Sequence, residues 1–256
     1  MEREQFDPAE FESSAGAAPW VRRVVAVPEL DSTNAEALRL AAAGEPEGLV
    51  IVTDAQTSGR GRLGRTWWAQ PGTSLLASWL LRPTLEPERL PLLSLVAGLA
   101  AARAASAAGG VEVRLKWPND LLLDGRKLGG ILSESDGHGA VVVGLGLNVR
   151  QDVFPDDIRE TATSLAAGGG RTPARAWLLA ATLSGFGARM EEPQNALDDY
   201  RAMCDTLGRA VRVERNDAPT LEGEAVGITD TGALVLETSS GPAVVAAGDV
   251  VHLRTG

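Results

Sequence analysis

Lys116 and Lys127 are the two lysines among 24 basic residues, eleven positions apart in one glycine-dotted stretch. An ammonium on a flexible stem serves as a movable point charge on phosphate and carboxylate oxygens, a task for which the planar guanidinium fork is less suited. Lys116 opens Lys116-Trp117-Pro118-Asn119-Asp120, and Lys127 opens Lys127-Leu128-Gly129-Gly130-Ile131-Leu132-Ser133-Glu134. Two cations, an amide and a carboxylate gathered at one end of a sheet can meet the phosphates of a nucleotide, and Asp120 could hold a proton or a metal. Taken singly, Asp120 reads as a turn residue and Asn119 as a cap, and an arginine-biased composition alone would leave few lysines. Upstream, Gly59-Arg60-Gly61-Arg62-Leu63-Gly64-Arg65-Thr66-Trp67-Trp68 places three arginines among three glycines. Glycines let the backbone approach closely, guanidinium forks bind carboxylate or phosphate, and an indole can stack on a base. A solvated basic loop or a nucleic-acid-binding segment shares the bare pattern. The tryptophans count against the first.

The elements that must position these residues are legible in outline. Val21 to Val27 reads as a strand, and Thr33 followed by Glu36 is a capping-box signature for a helix ending near Gly44. Ser32-Thr33-Asn34 then sits at a helix start. Leu49 to Thr53 and Ser74 to Leu81 read as buried strands, joined by a long loop from Ala55 to Thr73 whose arginine-rich part, Thr57 to Thr66, is expected to be mobile. A helix from about Glu88 to Ala108 is followed by strand-like runs at Glu112 to Trp117, Leu128 to Glu134 and Ala140 to Val149, which suggest antiparallel sheet. Helical patterns at Pro173 to Met190 and Pro193 to Cys204 carry aromatic and aliphatic core positions. From Leu207 the texture changes to short runs at Val211 to Glu214, Gly223 to Ile228, Ala233 to Glu237 and Ala243 to Ala246, a small SH3-like barrel. The expected organisation is an α+β domain over 21–206, a C-terminal SH3-like domain over 207–256 and a disordered tail over 1–20.

Composition narrows the partners. The 256 residues carry a formal net charge of −10 and are 44% hydrophobic, which disfavours broad binding to nucleic acid or anionic membrane and makes any anion site local. One cysteine, Cys204, excludes a disulfide framework and is compatible with a reducing compartment. Cys204, His138 and His252 have no nucleophile or metal-ligand neighbours in sequence and receive no chemistry. The acidic, alanine-rich start is no secretory signal, the apolar stretch from Leu90 to Gly109 carries Arg103 and reads as a buried helix, and a cytoplasmic location is expected.

Five motifs in order, Ser32-Thr33-Asn34, Gln56 with Gly59-Arg60-Gly61-Arg62 and Arg65 and Trp67, Lys116 to Asp120, Lys127 to Glu134, and Gly144-Leu145-Gly146-Leu147-Asn148, resemble the bacterial biotin protein ligases. The resemblance spans roughly Val21 to Cys204, and the small C-terminal β-module fits the same architecture. It implies the biotin/lipoate ligase catalytic fold, a mixed, largely antiparallel sheet flanked by helices and similar to class II aminoacyl-tRNA synthetases. It implies a reaction in which biotin and ATP, with Mg²⁺, give biotinyl-5′-adenylate, which a lysine of a carboxylase's biotin carrier domain then attacks. By resemblance, Ser32, Thr33, Asn34 and Gln56 hold the ring end of biotin, and Arg60, Gly61, Arg62, Lys127, Gly129 and Gly130 complete that side. Arg62, Arg65, Trp67, Lys116, Asn119, Asp120, Lys127 and Asn148 face the nucleotide. Lys127, with Arg62, is the expected principal catalytic residue, and Asp120 assists the incoming lysine or helps position Mg²⁺. The metal ligands are not specified. Some relatives carry an N-terminal winged helix that represses transcription, but fewer than 25 residues precede the first expected strand, so a monofunctional ligase without DNA binding is expected. A lipoate or octanoyl attaching enzyme of the same fold is the nearest alternative, and a nucleic-acid-binding protein using the arginine loop a more distant one.

Overall fold

Alternation along the central strands sorts their side chains into two layers. The computed structural model of the protein describes residues 5–14, 18–215 and 218–253. Its main sheet contains β1 (Arg23–Leu30), β2 (Leu49–Gln56), β3 (Ser74–Leu81), β4 (Val113–Lys116), β5 (Asp120–Leu123), β6 (Arg126–Ser135) and β7 (Val141–Asn148) in the order β1-β2-β3-β7-β6-β5-β4. Only β1 and β2 run parallel, as a strand pair joined by a helical crossover must; the other neighbours are antiparallel.

The crossover is α2 (Thr33–Ala42), capped by Ser32, whose hydroxyl accepts from the Ala35 N–H. Its Ala37 and Ala41 pack with Leu49, Ile51, Leu80 and Val142 on one face of the sheet. The intervening residues of the same strands, Val50 and Val52, Leu75, Ala77 and Trp79, and Val143, Leu145 and Leu147, point the other way into the main core, with α3 (Pro91–Gly109) and α4 (Arg175–Gly187). Being apolar on every side, α3 suits this buried place. Among the described residues Pro87–Gly109 is the one helix long and apolar enough to cross a membrane, and here it lies against the sheet and α4. After α5 (Leu197–Met203), β8 (Ala210–Glu214), β9 (Leu221–Ile228), β10 (Leu234–Thr238), β11 (Gly241–Val245) and β12 (Asp249–His252) form a second sheet, antiparallel in the order β11-β10-β9-β8-β12.

Three expectations change. The tail contains α1 (Pro8–Ser14), and Phe6 and Phe11 are buried in the main core, with the Phe6 N–H bonded to Asp54 Oδ1 at 3.1 Å. A short acidic helix with so few apolar residues gives no periodic signal, because it is held by contact with α4 rather than by propensity. Residues 1–4 and 15–17 lie outside the described set. Between Lys116 and Lys127 an additional strand, β5, returns through Asp124-Gly125, both at positive φ (51° and 73°), the two-residue hairpin turn that this dipeptide favours. Finally, β12 follows the last expected run and brings the C-terminal sheet to the cavity described next.

Candidate active site

The cavity floor is the α2 face of the sheet beyond the end of the helix. Register sets Ser78 against Gly144, Leu76 against Gly146 and Ser74 against Asn148, so one face of Val141-Val142-Val143-Gly144-Leu145-Gly146-Leu147-Asn148 offers glycine, glycine and an amide while the other is core. The glycines make room. A Cβ on Gly144 would lie 2.0 Å from Asn34 Oδ1, and one on Gly146 would lie 2.5 Å from the Trp67 ring. The neighbouring strand carries a register shift: Leu121 faces Gly129, but Leu122 faces Lys127. This one-residue slip exchanges the faces of everything beyond it, and it brings Lys127 to the same side as Gly130. Gly129 instead closes on the Gly146 carbonyl, where a Cβ would stand 2.7 Å away, and is absent from the cavity lining.

Over this floor lies a cavity of about 680 Å³. It is lined by Ser32, Thr33, Asn34, Gln56, Arg60, Gly61, Arg62, Arg65, Trp67, Lys116, Asn119, Asp120, Lys127, Gly130 and Asn148, so every residue singled out from the sequence except Gly129 reaches it. The two ends differ in chemistry. At one, Gln56 Oε1 accepts from the Thr33 N–H at 2.8 Å, the Thr33 and Ser78 hydroxyls share a hydrogen bond at 2.7 Å, and Ser78 Oγ donates to Asn34 Oδ1 at 2.5 Å. This is a neutral, hydrogen-bonding lining. At the other, Lys127 Nζ stands 2.6 Å from Asp120 Oδ1 and 5.9 Å from the centre of the Trp67 ring. Asn119 fixes its turn through Nδ2 to the Ile131 carbonyl at 2.9 Å, and Asn148 Nδ2 donates to the Thr163 carbonyl at 2.9 Å. Trp67 Nε1 is a buried donor with no partner among the described residues.

The loop carrying the arginines follows a hairpin course. Arg60 bridges to Thr66, the Gly61 N–H bonds the Arg65 carbonyl at 2.7 Å, and the Trp67 N–H bonds the Gly59 carbonyl at 2.9 Å. Arg62 Nη1 donates to Asn119 Oδ1 and to the Gly248 carbonyl, each at 3.2 Å, and Arg65 pairs with Asp249. Burial pulls the Arg62 guanidinium below the usual arginine range, against the opposing pull of Asp249 and Asp120; its positive charge is desolvated and therefore acts strongly on an anion. Across the wall stand five cationic side chains and two carboxylates, Asp120 and Asp249, a locally positive site in an acidic chain.

Sequence reasoning missed the C-terminal wall, Asp249 to His252. Burial first, then Lys116, keeps the His252 imidazole below its ordinary range, and its Nε2 lies 3.3 Å from Thr206 Oγ1. No sequence signal announces this wall, because pairing of β12 with β8 positions it. Cys204 is buried and its thiol is pushed upward by that burial, which leaves it no nucleophilic task.

Residues 27–152 match the Biotin/lipoate A/B protein ligase family, and residues 206–253 match the Biotin protein ligase C terminal domain. The biotin--[acetyl-CoA-carboxylase] ligase of Mycobacterium tuberculosis is 40% identical over 248 residues, covering 93% of this chain and 92% of the relative. The chain belongs to the biotin protein ligase family. A second member, the bifunctional ligase/repressor BirA of Bacillus spizizenii, is 36% identical over 234 residues, 86% of this chain and 71% of that protein. Among solved structures, the biotin protein ligase from Aquifex aeolicus in complex with biotin and ATP matches with a TM-score of 0.79 and 29% identity, covering 91% of this chain and all of that one.

Asp31 steadies the entrance to α2 in this ligase. It accepts the Ser32 N–H at 2.7 Å and pairs with Arg39, whose hydrogen bonds, with that N–H next, lower its pKa from 3.8 to about 2. A folded pKa below the unfolded one gives stability that is present above pH 3.8 and lost as pH falls through about 2. Arg39→Ala is expected to raise the Asp31 pKa towards 3.8, read by carboxylate NMR titration. The stability gap between variant and wild type should then narrow on acidification across that window; a gap constant from pH 4 to 2 would remove Arg39 as the cause.

Proposed function

We propose that this chain is a biotin–[acetyl-CoA-carboxylase] ligase, which joins biotin to ATP as biotinyl-5′-adenylate and passes the biotinyl group to a carrier-domain lysine of acetyl-CoA carboxylase. One observation carries the reading of the site: a single cavity has a neutral, hydrogen-bonding end at Thr33 and Gln56 and a cationic end at Arg62, Lys116 and Lys127, with Lys127 beside Asp120 where the two meet. The neutral end suits the ureido ring, held by Ser32, Thr33 and Gln56 with Asn34 behind them. The cationic end suits the phosphates, with Trp67 beside the adenine.

In the first step a biotin carboxylate oxygen attacks the α-phosphorus, and the bond to pyrophosphate breaks. Both reactants are anions, so reaching bonding distance requires fixed positive charge that needs little reorganisation. Lys127 and Arg62 supply it, while Arg65 and Lys116 face the departing phosphates. In the second step the acceptor amine attacks the acyl carbon and AMP leaves. Asp120, already the hydrogen-bond acceptor of one ammonium, receives the proton of the incoming one. The loop from Thr57 to Thr66 keeps water from the acyl-adenylate in the interval.

No cluster of three metal-ligating side chains occurs among the described residues, and both cavity carboxylates are ion-paired. That donor set fits Mg²⁺ arriving on the triphosphate, with Asp120 and Asp249 as nearby carboxylates; when bound it would neutralise phosphate charge. With a single, buried cysteine, we place the ligase in the reducing cytoplasm. Exchange of labelled pyrophosphate into ATP tests the assignment: it should require biotin and be unsupported by lipoate. Exchange with lipoate and not biotin would transfer the chain to the lipoate branch.

A further inference from the structure

Glu134 ends the Lys127 to Glu134 run and has no task in the reaction above, yet one of its oxygens joins two parts of the site. Oε2 accepts from Asn34 Nδ2 at 2.8 Å and from Arg60 Nη2 at 2.9 Å. Asn34 belongs to the start of α2, Arg60 to the arginine loop. The orientation of Asn34 is over-determined. Its amide also donates to the Leu132 carbonyl at 3.0 Å, its Oδ1 accepts from Ser78, and Gly144 leaves the space that the oxygen occupies. Both amide hydrogens are therefore used within the protein, and Asn34 is only 4% exposed. It supports the ring end without a donor left for a ligand. A continuous line of hydrogen bonds runs from Gln56 through the Thr33 N–H and hydroxyl, Ser78, Asn34 and Glu134 to Arg60.

We propose that Glu134 is a positioning residue, a latch that ties the arginine loop to the floor of the biotin end and so sets biotin affinity and retention of the acyl-adenylate. This rests on the functional reading of the cavity given above. A charge-assisted bond shared by two donors fixes geometry strongly, whereas a partly exposed ion pair adds little to global stability. Losing Glu134 should therefore loosen the loop far more than the fold.

The test uses the full chain as wild type, Glu134→Ala, Glu134→Gln, Arg60→Ala and the double alanine variant. In the ligand-free proteins, tryptic cleavage after Arg62 and Arg65 is expected to be several-fold faster in Glu134→Ala, while Tm falls by only a few degrees as the buried Asn34 amide loses one of its two acceptors. In turnover, KM for biotin should rise several-fold at unchanged KM for ATP, and biotinyl-adenylate should leave the enzyme faster. Glu134→Gln keeps an acceptor oxygen and should recover most of both. The double alanine variant should be no worse than either single one, since both cut the same link. Cleavage and biotin KM at wild-type values in Glu134→Ala, or fully additive alanine effects, would overturn the latch. Because cleavage is read without ligand, a wild-type protein that formed no adenylate would sink the functional reading while the latch was still judged on its own.

Discussion

Lys127→Arg is expected to slow biotin-dependent ATP–pyrophosphate exchange by roughly 10²–10³-fold, the cost of misplacing one preorganised electrostatic group, while the protein folds normally. Charge is conserved in this substitution, so the loss isolates geometry. Lys127 faces the cavity only because the slip between Leu121 and Leu122 turns it inward, and there it is bordered by Asp120 at 2.6 Å, Trp67 at 5.9 Å and the bare Cα of Gly130. A Cβ on Gly130 would already stand 3.5 Å from the lysine Cε. A compact ammonium can move from Asp120 to a developing negative charge in that space. A planar guanidinium is larger and locks onto the carboxylate through two parallel bonds. The deficit corresponds to about 2.7–4 kcal/mol of transition-state stabilisation, and it should appear in kcat more than in either KM. Exchange at wild-type rate would remove Lys127 from the centre of the mechanism.

What the sequence could announce and what it could not divide along range. Short-range chemistry was readable: the helix start at Ser32 to Asn34, the glycine-arginine loop, the two lysine motifs and the buried run of β3 are each decided within a few residues by turn, capping or strand rules. The cap itself falls on Ser32, one residue before the Thr33 of the expected capping box, because Thr33 turns its hydroxyl towards Gln56 and Ser78. The tail was misread because α1 is held by two phenylalanines meeting a surface far along the chain. Strand β5 was missed because its four residues are too few to show a period, although Asp124-Gly125 marked its turn. Asp249 and His252 join the wall only through pairing of β12 in the second sheet, and Glu134 finds Asn34 a hundred residues away in sequence. Such contacts belong to packing, which no local pattern encodes. The inward turn of Lys127 is the subtlest case, since simple alternation from Leu128 onward would not report the slip.

The two glycines of Gly144-Leu145-Gly146 yield the second large expected effect, and it separates the ends of the site. They are adjacent on one face of one strand, yet each makes room for a different side chain. In Gly144→Ala the new methyl meets Asn34 Oδ1 at 2.0 Å and its Cγ at 2.9 Å, while Asn34 is pinned by Ser78, Leu132 and Glu134. Something in that network must yield, with overpacking costs of about 1–3 kcal/mol; at roughly 2–4 °C per kcal/mol for a chain of this size, Tm falls measurably. Displacement of the start of α2 should raise KM for biotin by roughly 10²-fold, as angstrom-scale misplacement of binding groups does. In Gly146→Ala the methyl meets the Trp67 ring at 2.5 and 2.7 Å, and a rigid indole can escape only by swinging away from its place. That change should fall on KM for ATP, leave biotin binding close to wild type, and disturb Lys127 only through its ring contact. Calorimetric titration with each substrate separately reads the two effects. If both variants lost affinity for the same substrate by the same factor, the assignment of opposite ends to ring and nucleotide would be wrong, even with the ligase activity intact.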